Sequence, residues 1–115
     1  MGSIILAMPR AEDAYKMAEV IKSSGLMMDI EICSRGSEVL RMANDRDCGV
    51  VICTQRLKDM NYTELFEYLP SGFGMIVLTK DASMETYSNR CVKLLVPFHA
   101  SDIIATIEML LPGYG

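Results

Sequence analysis

The segment GVVICTQRLKDMNYTEL, Gly49 to Leu65, restricts the fold more than any other stretch of this chain. Val50, Val51 and Ile52 form a β-branched apolar run too short for a helix, which is the pattern of a central strand covered on both faces. Asn61 and Glu64 have the spacing of a capping box, and Leu65, Phe66 and Leu69 supply the inward stripe of the helix it opens. Thr54 to Asn61 therefore form a loop at a strand's carboxyl end, the place where open α/β sheets keep their sites.

The rest of the chain alternates in the same way. Ser3 to Met8 reads as a first strand, closed by Pro9. In the helix that follows, Ala14, Met17, Ala18 and Ile21 share one face while Glu12, Asp13, Lys16, Glu19 and Lys22 populate the others, and Gly25 supplies the stop. Met27 to Cys33 sets Met28, Ile30 and Ile32 against Asp29, Glu31 and Cys33, which predicts an edge strand with one wet face. Ser34 to Ser37 offers several caps for a second helix carrying Val39, Leu40 and Ala43 inward, ended by Asn44 to Asp47.

Pro70, Ser71 and Gly72 break the third helix, and Met75 to Thr79 is a fourth strand of the buried kind. Ala82 to Arg90 reads as a weak helix, short or irregular, because Met84 and Tyr87 are almost its only apolar anchors. Val92 to Val96 makes a fifth strand and Ser101 to Leu111 a final helix, stopped by Pro112 and Gly113. No Asn-Gly hairpin signal occurs, so the strands are expected to run parallel. Right-handed crossovers then predict an α/β doubly wound sandwich, a five-stranded parallel sheet in the order 2-1-3-4-5 with helices on both faces.

A chain of 115 residues makes a single domain, able to bury about two-thirds of the surface its unfolded form exposes. The net charge of -4 argues against a nucleic-acid surface, which needs clustered Lys and Arg to replace counterions. Cys33, Cys48, Cys53 and Cys91 form no C-x-x-C pair, and His99 is the single histidine, so no metal site and no cofactor is expected. The thiols are expected to be reduced and mostly buried, with Cys53 the one beside the loop. Ile4 to Met8 is too short for a signal or a membrane span, which predicts a cytoplasmic protein with no membrane partner.

RLKDMNYTEL resembles the segment after the phosphoacceptor strand of response-regulator receiver domains, with Asp59 and Met60 matching the loop pattern. The resemblance implies a flavodoxin-like fold and a set of site positions. A working receiver has acidic residues after the first strand, an aspartate after the third, a hydroxyl after the fourth and a lysine after the fifth. Here these fall on Met8 and Pro9, on Thr54, on Thr79 and on Val96, the last within a VPF similar to the usual lysine-Pro-Phe; only Thr79 keeps the expected type. A thioether and a proline ring offer magnesium no side-chain oxygen, and a threonine ester is not a labile acyl phosphate, so phosphorylation by the usual aspartate and magnesium route is not expected.

The intervals Thr54 to Thr79 and Thr79 to Val96 are each about five residues shorter than an ordinary receiver's, more than one helical turn. The third and fourth helices are therefore expected to be shortened. MGSIILAMPRAEDA and LKDMNYTELFEYLPSGF are similar to the N-terminal halves of clostridial ANTAR-type antitermination regulators, in which a receiver-like domain precedes an RNA-binding helical domain. That likeness implies RNA binding by a C-terminal domain absent from this chain and none by this domain itself.

The expected function is thus a degenerate receiver, a signalling and protein-interaction module rather than an enzyme, whose partner is another protein or a second copy. Ile103, Ile104, Ile107, Met109 and Leu110 of the last helix exceed what one inward stripe needs and are the interface candidates. The alternative is a small-ligand sensor using a vacated, less polar crevice bordered by Met8, Cys53, Thr54, Thr79 and Val96. His99 and Cys53 have no partners that would make either catalytic, and no glycine-rich phosphate loop follows a strand.

Overall fold

Apolar runs mark the three central strands, which are buried on both faces, and the amphipathic stretches around them form the helices and the edge strands. The computed structural model describes residues 2–86 and 88–111. Its elements are β1 (Ser3–Ala7), α1 (Ala11–Ser23), β2 (Asp29–Cys33), α2 (Gly36–Asn44), β3 (Gly49–Thr54), α3 (Tyr62–Tyr68), β4 (Phe73–Thr79), β5 (Cys91–Leu95) and α4 (Ala100–Leu110). The sheet is parallel throughout in the order β2-β1-β3-β4-β5, as the absence of hairpin signals predicts. β2 forms one edge and β5 the other.

The two-residue period of the strands divides the core into two layers. Ile4, Leu6, Val50, Ile52 and Ile76 meet α1 and α4 on one face, through Ala14, Met17, Ile21, Ile103 and Ile107. On the other face Ile5, Ala7, Val51, Met75 and Val77 meet α2 and α3, through Val39, Ala43 and Leu65. Since β3 pairs with both β1 and β4, its side chains feed both layers.

α1 follows the predicted face, with Ala14, Met17, Ala18 and Ile21 all buried. Gly25 ends the segment at φ +84°, a left-handed conformation that a side chain would strain. In α3, Asn61 Oδ1 accepts from the Glu64 amide at 3.1 Å, and the helix is only seven residues long, as its interval implies.

Three expectations need correction. Cys33, assigned to the wet face of β2, is buried against the second layer. None of Ser34 to Ser37 caps α2; its cap comes from Asp59, described below. The third concerns Ala82 to Arg90, expected to be a short or irregular helix, which contains turns but no helix among its described residues. Asp81 accepts from the Ser83 amide and hydroxyl at 2.9 and 2.6 Å, local bonds that compete with a helical turn. The segment is instead held by buried Met84 and by Lys93 Nζ, which donates to the Ala82 and Met84 carbonyls at 2.5 and 2.7 Å. Tyr87, its second anchor, and Pro112 and Gly113 lie outside the described residues.

Candidate functional site

Parallel strands in register bring their carboxyl ends to one edge of the sheet. Ala7 lies beside Cys53, Thr54 beside Leu78, and Thr79 beside Leu95, so the residues just beyond them converge. Met8, Thr54, Thr79 and Val96 all line one cleft of about 610 Å³, together with Asp13 and Met17 of α1 and with Gln55, Arg56, Leu78 and Lys80. Pro9 is exposed beside Met8 and is not part of that lining, and Cys53 lies fully buried beneath it.

Each hydroxyl at the site already has a bond. Thr54 donates to the Arg56 carbonyl at 2.8 Å, a turn of the loop on itself. Thr79, 4 % exposed, accepts from the Asp81 amide at 3.0 Å and donates to Gln55 Oε1 at 2.8 Å. Nothing in the sequence pattern pointed to Gln55, because its role depends on the separation of β3 and β4 in space.

The loop after β3 is held at several points. Leu57 is buried, its amide bonds Met60 O at 2.8 Å, and Arg56 bridges Asn61. Asp59 reaches across to α2 and accepts from the Gly36 and Ser37 amides at 2.7 and 3.1 Å, taking two of that helix's orphan donors. Slight burial opposes the charge, but these N–H groups outweigh it and hold the Asp59 carboxyl below its ordinary value. A Cβ on Gly36 would overlap the Met60 thioether, so a glycine there lets the loop lie against the helix. Asp59 is thereby committed to α2.

Magnesium is a hard cation held through one or two carboxylates, with waters completing its octahedron. Asp13 is the cleft's one carboxylate, and Arg10 Nε stands 3.9 Å from it. Among the described residues no group of three or more His, Cys, Asp or Glu is placed to hold a metal. Burial raises the thiol of Cys53 far above its ordinary value, and pushes that of Cys91 up to about 11. For Cys33, burial first and then the neighbouring Glu38 carboxylate push it to about 11, so all three remain protonated at neutral pH.

The interface candidates of α4 separate. Ile103, Ile107 and Leu110 are 0, 0 and 3 % exposed and belong to the first core layer, so they form no surface patch. Ile104 packs partly against that layer, and Met109 is 64 % exposed. The apolar surplus of the helix is mostly used inward, because α4 lies over the sheet beside α1.

No protein-family model matches the chain, and no curated protein matches its sequence. Solved structures do. A response regulator receiver protein from Sinorhizobium medicae WSM419 superposes with a TM-score of 0.81 at 15% identity, covering 99% of this chain and 97% of that one. The receiver domain of the hybrid histidine kinase CckA gives 0.76 at 12% identity, over 95% and 99% of the two chains. A sensor-kinase receiver domain from Pseudomonas aeruginosa PAO1 gives 0.74 at 16% identity, over 94% and 96%, and that protein carries magnesium in its active site cleft. The order of the sheet, the layering of its helices and these superpositions together make the fold of this chain that of a response-regulator receiver domain.

Proposed function

We propose that the chain is a degenerate receiver, a signalling module that works through protein contacts and not through an aspartyl phosphate. The observation that carries this reading is the cleft itself. Thr54 stands at the phosphoacceptor position with its hydroxyl turned to the Arg56 carbonyl, Met8 is buried where acidic residues are expected, and Val96 replaces the lysine. A hydroxyl in that place yields a stable ester, and the carboxylate that lines the cleft, Asp13, already faces Arg10. The likeness to ANTAR-type regulators supports a role in transcription antitermination, with RNA contacted by another domain and this one engaging a protein partner or a second copy.

The test is incubation of the purified chain with magnesium and acetyl phosphate, followed by intact mass, with beryllofluoride as a second probe. No mass increment and no fluoride-dependent change in the amide spectrum are expected. A magnesium-dependent increment would overturn the reading, and Asp59→Asn would be the first variant used to locate it.

A second reading, a small-ligand sensor, is favoured by one observation: the cleft of about 610 Å³ is within the range of sites that enclose small molecules.

A further inference from the structure

The charge around the cleft is unbalanced. Arg56 and Lys80 both line it, and neither has an ion pair among the described residues. Asp13 already faces Arg10, and the Asp81 carboxylate beside Lys80 is taken by Ser83. This occurs in a chain whose net charge is -4, so the two cations stand out against their surroundings.

Gln55 adds donors of a fixed kind. The Thr79 hydroxyl accepts from the Asp81 amide and donates its proton to Gln55 Oε1 at 2.8 Å, so the Gln55 side-chain oxygen faces it. The Gln55 NH₂ is left with no protein partner among the described residues. The cleft lining thus includes an amide NH₂, a guanidinium and an ammonium, all donors, while the lining carboxylate, Asp13, already faces Arg10. Met8, Met17 and Val96 add apolar lining to the same cleft. Thioethers adapt their shape and make favourable contacts with aromatic rings.

We propose that this cleft binds a small monocarboxylate with an apolar, preferably aromatic, body. Its carboxylate lies against Gln55, Arg56 and Lys80 and its ring against Met8 and Met17. An inorganic oxyanion would leave the methionine lining without contacts, and a neutral molecule would leave the cations unmatched. The proposal deepens the ligand-sensor reading and rests on the cleft not being a phosphorylation site.

The experiment uses the whole chain, labelled with ¹⁵N and titrated with 3-phenylpropanoate, then with 3-phenylpropanamide and inorganic phosphate. Saturable amide shifts are expected at Thr54 to Arg56, Thr79, Lys80 and Val96, with the amide and phosphate each at least about tenfold weaker, the scale of a charge-assisted contact. The double variant Arg56→Ala/Lys80→Ala should also bind about tenfold more weakly, while its other resonances, unchanged, report an intact fold. Absence of saturable shifts overturns the proposal, as does equal binding of the amide or of phosphate. The amide comparison needs no variant, so it decides even if the double variant misfolds. Mass measurement after acetyl phosphate treatment of the same sample separates failure of this proposal from failure of the phosphorylation-free reading.

Discussion

At the scale of single residues, Asp59 links two parts of the chain far apart in sequence. Its carboxylate caps α2 from the loop after β3, and N-cap oxygens typically contribute about 1 kcal/mol. Asp59→Ala should therefore lower stability by about that amount in urea titrations at neutral pH. Because the folded carboxyl sits below its ordinary value of 3.8, its contribution is fully present above that value. It is lost as pH falls through the lowered folded value, so the gap between the parent and Asp59→Ala should close in acid; a gap independent of pH would show that the charge is not involved. The cysteines give a second test. Cys33, Cys53 and Cys91 are buried with raised thiols, whereas Cys48 is half-buried. Native alkylation followed by peptide mapping should label Cys48 first and the others only after denaturant is added.

At the scale of elements, the segment between β4 and β5 contains turns and no helix among its described residues. Its carbonyls at Ala82 and Met84 depend on one ammonium, Lys93. Lys93→Met keeps much of the side chain's length but removes both bonds, which should cost about 1 kcal/mol. Faster amide exchange in residues 80–90, with α1 and α2 unchanged, is the expected signature. Composition already disfavoured a helix there, with two serines, an aspartate and few apolar anchors. How the turns are held was not legible, because Lys93 lies on the next strand. The cap of α2 was missed for the same reason: local residues such as Ser34 and Ser37 were plausible, but the donor set was satisfied from 23 residues away.

At the scale of the whole molecule, both core layers share one sheet, so neither can be lost without the other. Ile76→Ala, deleting a fully buried side chain in the first layer, should cost about 3 kcal/mol and leave one cooperative transition. Non-coincident far- and near-ultraviolet dichroism transitions would show that the layers unfold separately. Self-association is constrained in the same way. With Ile103, Ile107 and Leu110 inside, Met109 and part of Ile104 are a small fraction of the roughly 800 Å² each partner buries in a standard interface. Any dimer of this chain through α4 should be weak, visible by sedimentation velocity only at high concentration and removed by Met109→Asp. A tight dimer that survives Met109→Asp would place the interface elsewhere.

The amino-acid pattern alone determined the alternation of strands and helices and the parallel sheet with its order, which follow from local periodicity, strand length and the handedness of crossovers, acting over a few residues or on the chain's connectivity. The short third helix and the grouping of Met8, Thr54, Thr79 and Val96 were implied by the resemblance to receiver domains. Tertiary structure decided the rest: that Asp59 serves α2, that Gln55 faces Thr79, that Cys33 is buried and that α4 turns its isoleucines inward. Each is a pairing between groups on different elements, and side-chain hydrogen bonds and burial depend on separation in space, which sequence spacing does not encode.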